Sequence, residues 1–274
     1  MSEDALDTAH ATDPHRDWPT RTPLYDDGRL VAIFTTGADQ HEEAPWVDGV
    51  WCPSHVDTPK VADVLAPAFA GWRLSTSDFP LAAELVARGA LVLRHVHTMT
   101  HDLLDLPAYD GQATVARLSA PDLVERAAEV DRVLRSAYPP GHPDHRDERV
   151  TTNGAGMRRV ASGEVLGPLL DCSSVALAGG TVAGACLVVE RDGRPPDGGP
   201  WVLEIFRDPA VAARGIGRAL LATTLALAFE ARLPGLSLVV SDANVRARSL
   251  YTALGFQETA QSLTLLMPPM SSTP

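Results

Sequence analysis

Residues 201–221 (Trp-Val-Leu-Glu-Ile-Phe-Arg-Asp-Pro-Ala-Val-Ala-Ala-Arg-Gly-Ile-Gly-Arg-Ala-Leu-Leu) constrain the fold more than any other stretch. They read as a buried strand, a short loop and a glycine-punctuated turn that opens directly into a helix. Gly215 and Gly217 carry no side chain, so the main chain there is free to approach a ligand closely. The first turn of the helix, through Ile216 and Ala219, leaves amides unpaired and holds the positive end of the helix dipole. Arg214 and Arg218 add formal charge beside it. Such a turn suits a pyrophosphate.

Two common phosphate-binding signatures do not fit. A dinucleotide fingerprint wants a third glycine three residues after the second, and position 220 is Leu. It also belongs near the start of a long βαβ series, whereas this turn lies late in the chain. A P-loop ends in Gly-Lys-Ser/Thr, and Gly217-Arg218-Ala219 does not supply it. Downstream, a helix to about Arg232 and a Pro234-Gly235 break lead to the β-rich run Leu236–Ser241. A second helix follows, capped by Asp242 or Asn244, with Ala247, Leu250, Tyr251 and Leu254 on one apolar face. Gly255 is placed to end it in the left-handed conformation.

Residues 212–221 and 244–256, in this order and spacing, resemble the GNAT (GCN5-related N-acetyltransferase) superfamily over roughly the last 150 residues. The resemblance implies an α/β (α+β) GNAT fold, a mixed central sheet flanked by helices. It implies acetyl-CoA as co-substrate, with the pyrophosphate on Arg214, Gly215, Ile216, Gly217, Arg218 and Ala219. Phe206, Arg207 and Asp208 at the strand end would run beside the pantetheine arm, and Asn244 near it. The family's phosphate loop usually starts with Gln or Arg, and here that position is Ala212.

Amine acetylation asks for a donor to the developing oxyanion, an acid for the leaving thiolate and a base for the amine proton. Tyr251 is the expected general acid; on spacing alone it also reads as a core aromatic. Glu204, mid-strand among apolar residues, is the candidate base, since burial lifts a carboxylate toward a useful range. It reads equally as a residue facing water or paired with an arginine. Strict alternation puts Glu204 and Phe206 on one face and Leu203, Ile205 and Arg207 on the other. The expected activity is acetyl-CoA-dependent transfer, directly and without a covalent enzyme intermediate, to the amine of a small-molecule acceptor. The competing reading is a non-catalytic acyl-CoA-binding or scaffold module that kept the fold.

A formal charge of −12 argues against nucleic-acid binding, which needs clustered Lys and Arg. Cys52, Cys172 and Cys186 are odd in number and form no zinc or disulfide spacing, so reduced thiols in the cytoplasm are expected. The acidic N-terminus is unlike a signal peptide, and no apolar stretch reaches membrane length. His95, His97 and His101 invite a metal reading, but hydrogen-bonded histidines are the more common outcome, and no metal is expected. His142, Asp144 and His145 sit in a Pro-rich loop; in this superfamily the corresponding loop borders the acceptor. Monomer and homodimer both remain open.

Three segments are expected: a flexible arm over 1–23, a smaller degenerate GNAT-like domain over 24–113, and the acetyltransferase domain over 114–274. The N-terminal half should hold a strand at Leu30–Phe34, a loop with Trp46, Trp51 and Cys52, helices at Pro59–Ala70 and Phe79–Arg88, and strands near Trp72–Thr76 and Ala90–Met99. The C-terminal half should hold one helix over Pro121–Tyr138, strands at Ser173–Leu177 and Val182–Glu190 joined by Gly179-Gly180, and a last strand at Gln257–Met267.

Overall fold

The apolar run of residues 182–189 is continuous rather than alternating, as expected of a strand covered on both faces. The computed structural model, which describes residues 21–37, 45–108, 114–145, 153–193 and 198–269, builds a sheet with helices on both faces around that strand. The described residues fall into two compact units, which part between residues 96 and 97 and again between 259 and 260. The expected division near residue 113 can be set beside these breaks, which fall inside two strands. Residues 1–20 of the expected arm lie outside the described residues, and Thr22 and Pro23 already belong to a strand.

The first unit orders its strands β1-β2-β3-β4-β11-β5. They are β1 (Thr22–Asp26), β2 (Arg29–Gly37), β3 (Trp46–Trp51), β4 (Arg73–Thr76), the later part of β11 (Gln257–Leu266) and the earlier part of β5 (Leu91–His101). Asp27 and Gly28, both at positive φ, make the tight β1–β2 turn. Helix α1 (Thr58–Ala68) is the crossover between the parallel strands β3 and β4. Helix α2 (Phe79–Ala87) starts on Asp78, whose side chain accepts from the Leu81 amide at 2.9 Å. Leu65, Leu74, Leu81, Leu85 and Leu265 close the core. Residues 46–51, expected as loop, are a strand. Asp48-Gly49 reads as a turn, but Gly49 at φ +56° is absorbed by a bulge, where the register slips between Ile33 and Thr35.

The second unit orders its strands β11-β5-β10-β9-β8-β7-β6. The added strands are β6 (Thr114–Arg117), β7 (Ser174–Ala178), β8 (Thr181–Arg191), β9 (Gly199–Arg207) and β10 (Leu236–Ser241). From β6 to β9 neighbours are antiparallel; β9 and β10 are parallel, linked by α6 (Ile216–Glu230). On β8, Cys186 and Val188 enter the core beneath α6 and α7 (Val245–Ala253). Ala185, Leu187 and Val189 enter the core beneath α3 (Ala120–Glu125), α4 (Ala127–Ala137) and α5 (Ala155–Ala161). The expected single helix over 121–138 is two, broken at Arg126 (φ −96°, ψ 7°). There the small Ala127 and Ala128 admit the backbone of Gly154, which leaves no room for a Cβ. Buried Asp131 ties the two segments, accepting from the Gly154 amide and from Arg135. Helix α5 and strands β1 and β6 were not anticipated.

The three histidines of β5 part company. His95 bonds Gln261 in the first unit. His97, in the second, is bracketed by Glu258 on Nδ1 (2.8 Å) and Asp242 on Nε2 (2.9 Å). His101 accepts the Leu103 amide on Nδ1, and its buried Nε2 has no hydrogen-bond partner among the described residues. No cluster of three metal-ligand side chains exists among the described residues.

Burial holds the His101 pKa below its ordinary 6.5, against the upward pull of Asp102, the Leu254 carbonyl and Asp105. A group that resists protonation only when folded costs stability as pH falls. Stability is therefore expected to be unaffected by His101 above pH 6.5 and to decline as the pH drops below it. His101→Asn, which keeps an acceptor for Leu103 and cannot titrate, should flatten that acid decline. Urea midpoints measured across the acid range for both proteins check this.

Candidate active site

Two backbone features open a cleft beside the C-terminal end of β9. Strands β9 and β10 pair at Ser237 and Trp201, near the start of both, and no further pair joins them among the described residues. Their ends diverge. The second feature is a bulge: Leu187 faces Glu204 while Val188 faces Val202, so Leu203 is the extra residue. It breaks the expected alternation. Leu203 and Phe206 pack into the α3–α5 core, while Val202 and Ile205 pack into the α6–α7 core.

The cleft holds about 370 Å3. Its walls are Tyr138 and His142 after α4, Ile205, Phe206 and Arg207 on β9, Gly215 to Arg218 at the start of α6, and Asn244, Arg246, Ala247, Leu250 and Tyr251 on α7. Gly215 is the N-cap of α6 at φ +82°, with open space where a Cβ would be, so it is the backbone angle that calls for glycine. The first bond inside the helix runs from the Ala219 amide to the Gly215 carbonyl at 2.9 Å. Ile216, Gly217 and Arg218 therefore keep the amides of the first turn. Ala219, expected to offer its own, has that amide committed and its side chain fully buried.

Charge in the cleft is one-sided. Arg207, Arg218 and Arg246 line it, and no carboxylate does among the described residues, in a chain of formal charge −12. Asp208 and Arg214 are not in the wall. Asp208 holds the loop after β9, accepting from the Ala210 amide at 2.9 Å and from Arg132 at 3.4 Å. Arg214 is exposed.

Tyr251 is 7% exposed and makes no side-chain hydrogen bond among the described residues. Burial pushes its pKa well above the ordinary 10, and the nearby acidic groups Asp144, Cys186 and Glu204 push the same way. The phenol stays protonated at neutral pH. Glu204 is buried and outside the cleft wall, yet its charge reaches Tyr251. Asn244 caps α7, accepting the Ala247 amide on Oδ1 at 3.2 Å.

Sequence reasoning did not single out Tyr138, Arg246 or Leu250 as wall residues. Tyr138 donates its hydroxyl to the Ile205 carbonyl at 2.6 Å, pinning β9 just past the bulge. The T-shaped His142 ring rests on it with centroids 4.9 Å apart. The Pro139-Pro140-Gly141 helix stop was a visible sign that the chain turns here; what it turns toward is tertiary.

Residues 128–256 match the sequence profile of the acetyltransferase (GNAT) family. A search of curated proteins finds no relative. Among solved structures, a GCN5-related N-acetyltransferase from Sphaerobacter thermophilus superposes with a TM-score of 0.63 at 18% identity, covering 97% of this chain and 91% of that one. A GCN5-related N-acetyltransferase from Kribbella flavida gives 0.55 at 15%, covering 96% and 95%. A tandem GNAT protein from the clavulanic acid biosynthesis pathway gives 0.52 at 16%, covering 90% and 83%. At these identities the likeness is one of fold, and it extends across the N-terminal half as well. Residues 128–256 therefore form a domain of the acetyltransferase (GNAT) family, and the chain shares the fold of these solved structures along nearly its whole length.

Proposed function

We propose that the protein is an acetyl-CoA-dependent N-acetyltransferase acting directly on the amine of a small-molecule acceptor. The observation that carries this reading is one cleft that joins the unspent amides of Ile216, Gly217 and Arg218 to three arginines. Amides at a helix start and fixed cations select a multiply charged anion, and a diphosphate matches that demand. The diverging edge of β9 leaves main-chain groups beside Ile205 to Arg207 for the pantetheine arm. Acetyl-CoA supplies the activated acyl group; the remaining roles fall to the chain's own residues.

Tyr251 is protonated, buried and on the wall, which suits it to give a proton to the departing sulfur as the amine nitrogen bonds to the acetyl carbon. The amine proton leaves through water toward Glu204, whose carboxylate acts within electrostatic range of Tyr251. His142 does not take this part through Nδ1, because that nitrogen already accepts the Asp144 amide at 3.0 Å.

Tyr251→Phe should lower acetyl-CoA-dependent thiol release by about 10²-fold or more while leaving coenzyme A affinity nearly unchanged. Stopped-time thiol assays over an amine panel, paired with calorimetry, read both quantities; equal turnover in the two proteins removes Tyr251 from the reaction. Arg218→Ala should weaken coenzyme A binding by about tenfold, roughly the worth of one charge-assisted hydrogen bond. The loss should shrink as salt is raised. Absence of any binding heat between wild-type protein and acetyl-CoA would overturn the whole reading.

A further inference from the structure

The loop between α4 and the residues beyond 145 carries His142 into the cleft wall, and one side chain fastens that loop to the opposite wall. Asp144 Oδ1 accepts from the Ser241 hydroxyl at 2.6 Å and from the Ser241 amide at 3.2 Å. Its Oδ2 accepts from Asn244 Nδ2 at 2.6 Å. Its main-chain amide donates to His142 Nδ1 at 3.0 Å. Ser241 ends β10 and Asn244 caps α7, so these bonds span the loop, the strand end and the helix that bears Tyr251.

The arrangement has a physical logic. The carboxylate sits at the N-terminus of α7, where the helix dipole favours negative charge. Asn244 is used at both ends, Oδ1 on the Ala247 amide and Nδ2 on Asp144, so its orientation is set by helix and loop together. Because Nδ1 of His142 accepts a hydrogen bond from a main-chain amide, Nε2 is the ring nitrogen left to carry a proton. The loop is further closed by His145, which donates from Nδ1 to the Tyr138 carbonyl at 2.7 Å.

We propose that Asp144 is a positioning residue for acetyl transfer: through Ser241 and Asn244 it latches the His142 loop to the helix carrying Tyr251, so one carboxylate sets both the acceptor wall and the acid. This rests on the acetyltransferase reading for its kinetic consequence but not for the latch itself. The latch also has an electrostatic side. The acidic groups acting on the Tyr251 phenol are Asp144, Glu204 and the buried thiol of Cys186, and of these Asp144 contributes most. Removing its charge lets Tyr251 ionise at lower pH.

The test uses the full chain and two variants, Asp144→Asn, which removes the charge, and Asp144→Ala, which also removes the bonds. Alkaline titration of tyrosine absorbance, with Tyr251→Phe identifying the Tyr251 component, needs no acceptor. Both variants should titrate Tyr251 at lower pH than wild type. Thiol release from acetyl-CoA is then measured over a panel of amino acids, amino sugars, polyamines and aminoglycosides. For the fastest acceptor found, Asp144→Ala should raise KM by about tenfold, the weight of a lost charge-assisted bond, and move the alkaline limb of kcat downward. Ser241→Ala, which keeps the charge, should raise KM without moving that limb, and stands in if Asp144→Ala does not fold. An unmoved Tyr251 titration in both Asp144 variants overturns the latch. A moved titration with no turnover by wild type on any amine supports the latch and counts against the acetyltransferase reading.

Discussion

A helix that begins at the mouth of two diverging strands cannot satisfy its own first turn, and the rest of this site depends on that constraint. The left-handed angle at Gly215 sends the chain abruptly from loop to helix, and the first internal bond waits until Ala219. Three amides are left facing the space where β9 and β10 part. In a buried setting such donors are costly unless an acceptor fills the gap. Here they open onto a cleft, and the arginines nearby raise the demand for negative charge further. The strand divergence and the helix start thus define one feature between them: a slot for an anion whose tail lies along a strand edge.

Local chemistry explains why much of this was legible in the residues. The Gly-x-Gly turn, the apolar strand before it, the run at 236–241 and the Asn244 cap are short-range patterns, each decided within a few residues. The Gly179-Gly180 hairpin is of the same kind, both residues at positive φ as a tight antiparallel turn requires. Ala219 shows the limit of even this clear region. Its place in the turn was plain, but whether its amide was available depended on which residue became the N-cap.

What the residues did not disclose was set by distant partners. Alternation along β9 was misread at Leu203 because a bulge depends on the register with β8, not on β9 alone. Asp48-Gly49 looks like a turn in isolation, yet pairing on both sides keeps residues 46–51 extended. Asp208 sits next to Arg207 in the chain, but the two meet different fates: the arginine lines the cleft, while the carboxylate is bound to Ala210 and Arg132. Tyr138 gains its role only because β9 presents a carbonyl 67 residues away.

The acidic chain around a cationic cleft completes the picture. With three arginines on the wall and a formal charge of −12 overall, the surface as a whole repels the ligand that the cleft attracts. Screening makes the distant repulsion weak beyond a Debye length of roughly 8–10 Å in ordinary salt, whereas contacts in the cleft are much less screened. Discrimination is therefore made at close range, by fixed amides and guanidinium groups, and the general acidity of the chain does little to oppose it. The same short range gives Asp144 its leverage: one carboxylate at the start of α7 acts on Tyr251 more strongly than Glu204 does, although both are negative. Position relative to a buried phenol, not the number of charges, decides which acid matters.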